Sequence, residues 1–201
     1  MSGEVIAFIS APGVGTSFLT RQMACKNMMP GFFEGEDGIF TPSILSVLNN
    51  EDDSFERYEW LAGRTKLMLE RAHRIAKSGI DCYVDGDVLL AEAWLVAEIG
   101  DKSPVFLKKW LDENKHLMAH KVVILTASDE KIQENIKQRG RSSEQSDFIR
   151  ERALRIGRAC INLEKKYTHA RVLDRSDLEF ADSDTLAFVD KFIQSIPSHL
   201  I

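Results

Sequence analysis

The chain has 201 residues, enough to bury a core of its own, and its 44% hydrophobic and 28% charged fractions are ordinary for a folded globular domain. A formal net charge of -5 argues against nucleic acid as a partner, because phosphate backbones are held by an excess of lysine and arginine. Three cysteines far apart in sequence favour a reducing compartment, and no leader or membrane-length apolar run is visible, so we expect a cytoplasmic protein without membrane contact.

Strands and helices alternate along the chain. Short apolar, β-branched runs predict five strands, at residues 4–10, 32–34, 80–84, 121–127 and 170–173. Helical spacing and capping residues predict helices at residues 16–28, 54–78, 89–99, 105–118, 129–138, 148–166 and 184–193. This alternation predicts a three-layer α/β fold, with a parallel sheet of about five strands and helices on both faces. Because ligands of such sheets bind at the C-terminal ends of the strands, residues there are the functional candidates.

The segment that joins the first strand to the first helix reads SAPGVGTS, which has the placement of a Walker A phosphate-binding loop. Gly13 and Gly15 permit backbone conformations that aim N–H groups inward as an anion nest, and the helix behind them adds its positive dipole end. Ser17 stands where the motif's hydroxyl binds Mg²⁺, and Thr16 stands where the motif has lysine. A plain turn between strand and helix is the alternative interpretation.

Together with its later segments, the chain resembles the deoxynucleoside kinase family over nearly its whole length. The most specific element is RGRSSE at residues 139–144, which follows a strand and one helix and looks like the arginine-rich lid of those kinases. Arg71 on the long helix, Asp85 after the third strand and the segment VLDRSDLEF add to the likeness. The resemblance implies one P-loop kinase domain over residues 1–201, with a lid at about residues 138–147.

The resemblance also implies roles for the matching residues. Arg139 and Arg141 would clamp the transferring phosphoryl group, and Glu34 would be the general base on the 5′-hydroxyl, with Glu36 as an alternative. The residues implied for the acceptor are Arg64, Arg71, Asp85 and Glu144. Those implied for ATP are Gly13, Val14, Gly15, Thr16 and Ser17, with Ser17 also binding Mg²⁺. The plain alternatives are a capped helix end at Arg139, surface glutamates, and surface arginines paired with neighbouring acids.

The chain departs from the family's pattern mainly at groups that neutralise phosphate charge. Thr16 replaces the loop lysine, Gly86 replaces an arginine after the third strand, and Asn135 replaces an extra lid arginine. Arg64 also stands where the family has a glutamine that pairs with the base. Because losing one preorganised donor costs ~10²–10³ in rate, these departures argue against full kinase activity.

Three functions therefore stay open. The first is a nucleotide-binding protein of the deoxynucleoside kinase type, which uses ATP and Mg²⁺ on a nucleoside-like hydroxyl. The second is a catalytically impaired relative that acts through protein partners, and the third is a nucleoside monophosphate kinase, suggested by Arg64. The resemblance carries the expectation of a homodimer. The five histidines show no metal-ligand spacing and are predicted to lie on the surface or on helix faces.

Overall fold

The computed structural model describes residues 2–33, 54–98, 104–139 and 147–199. Its five strands form one sheet in the spatial order β2-β3-β1-β4-β5, and every neighbouring pair is parallel. In chain order the strands are β1 (Val5–Ser10), β2 (Gly31–Phe33), β3 (Cys82–Asp85), β4 (Lys121–Thr126) and β5 (Ala170–Asp174). The predicted five-stranded parallel sheet is thus confirmed.

Seven helices lie within the described ranges. They are α1 (Thr16–Asn27), α2 (Ser54–Ala76), α3 (Val88–Glu98), α4 (Pro104–Asn114), α5 (Asp129–Arg139), α6 (Asp147–Lys166) and α7 (Ser183–Ser195). Their ends agree with the sequence prediction to within two residues, except after α4, where a 3₁₀ turn (Lys115–Leu117) replaces the end of the predicted helix. The Asn114 side chain donates to the Trp110 carbonyl (2.9 Å), a local bond by which asparagine competes with regular helix.

The central strand explains why the fold has three layers. All six residues of β1 are buried, although successive side chains of a strand point to opposite faces. Both faces of the sheet are therefore covered, as parallel sheets require. Among the helices, α3 packs between α2 and α6, and α6 also packs on β1, β4 and β5. The core contains large, fully buried side chains from strands and helices, among them Phe8, Leu19 and Ile124.

The register brings the ends of the strands together at one edge, which we call the C-terminal edge. Asp85, the last residue of β3, lies beside Phe8 of β1 and Phe33 of β2. On the other side of β1, Thr126 of β4 lies beside Asp174 of β5. The loop after β1 and the starts of α1 and α3 meet at the same edge. None of the helices in the described ranges is long and apolar enough to cross a membrane.

Candidate functional site

The glycine loop, residues 11–15, connects β1 to α1 with two residues in the left-handed region. Gly13 has φ 91° and Gly15 has φ 105°, conformations that residues with a Cβ rarely adopt. A Cβ on Gly13 would also come within 2.7 Å of the Ile136 side chain. The first N–H groups of a helix have no intrahelical acceptor. Gly15 is the N-cap of α1 and provides no side-chain cap for them. The strand, glycine loop and helix that the sequence predicts are all in place.

Two side chains fasten the glycine loop from behind. Asn135 of α5 donates from Nδ2 to the Gly13 carbonyl (2.9 Å), and Arg175 donates from Nη1 to the Val14 carbonyl (2.7 Å). The carbonyl and the N–H of one trans peptide unit point in opposite directions. Holding the Val14 carbonyl therefore aims the N–H of Gly15 away from Arg175, as the orientation of one donor in an anion nest would require.

A hydroxyl and a carboxylate lie together at the mouth of this loop. Ser17, in the first turn of α1, donates from Oγ to Oδ2 of Asp85 at 2.5 Å. Ser17 is exposed and Asp85 is half-buried, so the pair is accessible from solvent. Oxygen atoms of this kind are the ligands that Mg²⁺ prefers. The described residues contain no group of three histidine, cysteine or acidic side chains that could hold a metal, so phosphates and water would have to complete the coordination.

The residues after Asp85 are shaped by local structure. Gly86 has φ 127°, its N–H donates to the Phe8 carbonyl (3.0 Å), and a Cβ there would lie 3.2 Å from Cε of Met68. Asp87 is fully buried and accepts the N–H groups of Leu89 and Ala119, each at 2.8 Å. Burial raises the pKa of Asp87 to about 7, against the opposing effect of these two donors. Asp85 is thus the accessible carboxylate, and Asp87 joins α3 to the segment before β4.

Arg64 and Arg71, the arginines predicted to bind the acceptor, lie at different distances along α2 from the C-terminal edge. Met68 reaches Gly86 at the C-terminal edge, and Arg64 is half-buried one helical turn beyond Met68. Arg71 is exposed and lies next to Ala72, whose carbonyl accepts the Cys82 thiol (3.5 Å) at the start of β3. Arg64 is therefore nearer to the strand ends than Arg71. Binding of an acceptor by either residue stays a prediction.

Several predicted residues cannot be assigned a place. Glu34, Glu36, Arg141 and Glu144 lie outside the described residues, as does most of the predicted lid. Arg139 is the last residue of α5, and its side chain is not described. β2 ends at Phe33 beside Asp85, so the chain leaves the described part at the C-terminal edge immediately before Glu34. The catalytic roles of these residues stay predictions.

Sequence reasoning missed the part that Arg175 and Asn135 play in the glycine loop. The segment VLDRSDLEF adds to the likeness without giving Arg175 itself a role, although Arg175 directly follows the last strand, where functional residues collect. Asn135 was interpreted as a lost arginine, whereas its amide holds the loop at Gly13. The strand-end position was a usable signal for Arg175. No pattern in the sequence indicates the contact of Asn135.

Several solved structures of kinases have the same architecture. A deoxyadenosine kinase from M. mycoides with the products dCMP and a flexible dCDP matches with a TM-score of 0.72 and 16% identity, covering 96% of this chain and 100% of that chain. A thymidylate kinase from Candida albicans matches with a TM-score of 0.70 and 12% identity, covering 96% and 92%. The M. mycoides kinase with bound dATP gives 0.69 at 15% identity, covering 96% and 100%.

These similarities establish that the chain has the same fold as these kinases. At identities of 16% and below they establish no more than the fold, which hosts more than one acceptor chemistry. Neither the protein-family models nor the curated proteins give a match to this sequence. What the site does must therefore be argued from its own residues.

Proposed function

We propose that this protein binds a nucleoside triphosphate together with Mg²⁺ at the glycine loop, and that it transfers the γ-phosphoryl group to a nucleoside-like hydroxyl. The observation that carries the proposal is the Ser17–Asp85 pair, 2.5 Å apart at the mouth of a loop with two left-handed glycines. The loop suits a phosphate group and the Ser17–Asp85 pair suits a metal ion. Together they match what a magnesium-bound nucleotide requires.

Each part of the described site has a separate task in this function. The N–H groups of the glycine loop and of the first turn of α1 hold the phosphate oxygens. Ser17 and Asp85 hold Mg²⁺, which supplies neutralisation of the charge between neighbouring phosphates. Asn135 and Arg175 keep the loop carbonyls turned away from the bound anion. We assign deprotonation of the acceptor hydroxyl to Glu34, and closure over the phosphoryl group to Arg139 and Arg141.

A nucleoside monophosphate is the second candidate acceptor. Arg64 is half-buried near the C-terminal edge, where a cation favours a phosphorylated acceptor over a neutral base or sugar. One of the structural neighbours is a thymidylate kinase, which shows that this fold accommodates such an acceptor elsewhere. Nucleoside and monophosphate acceptors are distinguished by Arg64→Gln, which should weaken use of the monophosphate without weakening use of the nucleoside, because a glutamine at this position is the amide that pairs with the base in the kinases the sequence resembles.

The proposal is tested by thermal denaturation with ATP, with and without Mg²⁺. Ligand at 100 times its Kd stabilises the native state by about 2.7 kcal/mol, which for a chain of this size is a rise in Tm of about 5–10 °C. Ser17→Ala should abolish the part of the rise that needs Mg²⁺, whereas Ser195→Ala, which removes an exposed hydroxyl from α7, should not. Absence of any rise at millimolar ATP would sink the proposal.

Phosphoryl transfer itself needs a second measurement. Labelled ATP is incubated with a panel of nucleosides and nucleoside monophosphates, and product formation is followed at saturating Mg²⁺. Transfer to one class of acceptor identifies the reaction. If ATP binds and no acceptor is phosphorylated, the catalytically impaired protein that acts through partners becomes the better description.

A further inference from the structure

Arg175 is a buried arginine whose contacts are unusual. It follows β5, is 8% exposed, and its guanidinium lies 4.5 Å from the centre of the Phe180 ring. Nη1 donates to the Val14 carbonyl (2.7 Å) and Nη2 to the Leu178 carbonyl (3.5 Å). Nε has no hydrogen-bond partner among the described residues. The side chain is therefore held by neutral acceptors and an aromatic ring.

No carboxylate of the described residues forms an ion pair with Arg175. Glu179 is the acid whose field acts on it, but Glu179 is mostly exposed and lies 3.6 Å from Lys131. Arginine stays protonated even though burial lowers its pKa, and a buried, uncompensated cation is unfavourable. A bound anion close by would offset this cost.

The place where an anion would bind lies directly across the loop from this charge. A Cβ on Gly15 would come within 2.6 Å of Arg175 Nη1, so the guanidinium touches the backbone of the loop itself. The Val14–Gly15 peptide separates it from the nest, with the carbonyl on the side of Arg175 and the N–H on the other. A cation that donates to the carbonyl polarises this peptide and strengthens its N–H as a donor.

We infer that Arg175 supplies the positive charge that Thr16 does not, acting through the Val14–Gly15 peptide and without touching the phosphates. This inference rests on the proposed function. It makes Arg175 a positioning residue for the triphosphate, whichever acceptor is used. A lysine at residue 16 would contact the phosphates directly, whereas Arg175 lies on the opposite side of the Val14–Gly15 peptide from them.

The test measures the affinity for inorganic tripolyphosphate and for ATP with Mg²⁺, because tripolyphosphate lacks the base and sugar. Arg175→Gln removes the charge, together with the bond to the Val14 carbonyl that only the longer arginine reaches, and should weaken both ligands by about 10-fold or more, the size of one charge-assisted interaction. Arg175→Lys keeps the charge and should recover most of the affinity. The control Arg171→Gln removes the same charge from the other end of β5 and should change neither.

A positive charge added at residue 16, on the phosphate side of the glycine loop, distinguishes an electrostatic role of Arg175 from a structural one. Thr16→Lys should restore affinity in the Arg175→Gln background and add much less than 10-fold to the otherwise unchanged protein, because the two charges serve the same anion. If Arg175→Gln does not fold, a gain of about 10-fold or more from Thr16→Lys alone would overturn the inference.

The remaining outcomes identify which claim has failed. Wild-type binding of both ligands that Arg175→Gln leaves unchanged would overturn the role of Arg175 and leave the nucleotide site standing. Affinity lost in Arg175→Gln and not recovered by Thr16→Lys would also overturn it, in favour of a structural role. Absence of binding by the wild type would overturn both proposals.

Discussion

At the scale of single residues, the departures from the kinase pattern have different physical origins. Thr16 does remove a charge from the front of the loop, but Asn135 makes a bond to Gly13 that an arginine's longer side chain would not make in the same place. Gly86 has a positive φ that an arginine would adopt only with strain. The sequence shows which residue type is missing, but not which side chain has taken over a contact or which backbone angle excludes the usual residue.

Gly86→Arg should therefore fail to restore a phosphate-binding arginine. We expect the free energy of unfolding to fall by about 1–2 kcal/mol, because a residue with a Cβ is strained at φ 127° and the new Cβ meets Met68. Urea denaturation measures the change, and ATP affinity should not improve. The control is Gly63→Arg, an exposed site on α2 where an added Cβ meets none of the described residues within 4 Å, and where about 0.5–1 kcal/mol of stabilisation is expected. A gain in ATP affinity with Gly86→Arg would contradict this explanation.

Asn135→Ala should weaken nucleotide binding although Asn135 itself does not touch the nucleotide. The lost bond to the Gly13 carbonyl frees the loop to leave the nest geometry, and one such bond corresponds to about 0.5–1.5 kcal/mol, or roughly 2- to 10-fold in Kd. Titration with ATP measures the effect. Asn114→Ala removes a bond of the same length to the Trp110 carbonyl, away from the loop, and should leave the Kd unchanged. Equal effects of the two substitutions would show that Asn135 acts only on overall stability.

At the scale of elements, most of the secondary structure follows from periodicity and capping. The strands are short apolar runs with turn residues at their ends, and β4 is the clearest of them in the sequence because it is almost wholly buried. The side-chain contacts between elements could not be obtained in this way. The Ser17–Asp85 bond joins residues 68 positions apart and depends on the register of β1 with β3, which no local pattern determines.

Asp87, which precedes α3, stabilises two parts of the chain, because it accepts an N–H group from α3 and another from the segment before β4. Asp87→Ala leaves the N–H groups of Leu89 and Ala119 without their acceptor, and should lower the free energy of unfolding by about 2–4 kcal/mol. Asp182→Ala removes an exposed N-cap that accepts from Thr185 (2.9 Å), and should cost clearly less than Asp87→Ala. Thermal or urea denaturation compares the two variants. Similar losses would mean that burial of Asp87 adds nothing to an ordinary cap.

The pH dependence of this variant has a defined sign. The pKa of Asp87 is raised from 3.8 to about 7 in the folded protein, so its protonated form stabilises the fold, and this contribution is lost as pH rises towards 7. The difference in stability between wild type and Asp87→Ala should therefore be larger at pH 5 than at pH 8. A difference that grows with rising pH would show that the carboxylate, and not the carboxylic acid, is the favoured form.

At the scale of the whole molecule, the two edges of the sheet carry different groups. The C-terminal edge holds the glycine loop, Ser17 and Asp85, and the opposite edge holds histidines. His169 is buried and stacks on His199 with ring centres 4.4 Å apart, and His120 accepts the Val5 N–H through Nδ1 (2.8 Å). The expectation that the histidines lie on the surface or on helix faces was wrong for His169, because it directly precedes β5 and its ring contacts the rings of Tyr167 and His199.

This edge should make the protein sensitive to acid. Burial, with the nearby His199 and His120, lowers the pKa of His169 from 6.5 to about 4, so the stability it contributes is present above pH 6.5 and is lost as pH falls towards 4. Between pH 7.5 and pH 5 His169→Phe should lose roughly 2 kcal/mol less stability than the wild type. Denaturation at a series of pH values measures this, with the exposed His116→Gln as control. Equal acid losses in wild type and His169→Phe would contradict the assignment.

The arrangement of the C-terminal edge is tested most directly by calorimetric titration of ATP with Mg²⁺ into the wild type and Asp85→Asn. We predict one saturable site in the wild type that weakens when Mg²⁺ is removed, and about 10-fold weaker binding in Asp85→Asn with little remaining dependence on Mg²⁺. Asp190→Asn, which alters an acid on α7 that pairs with Lys26, should bind like the wild type. No binding at millimolar ATP, or binding in Asp85→Asn that responds to Mg²⁺ as the wild type does, would contradict the assignment of this edge as a magnesium-nucleotide site.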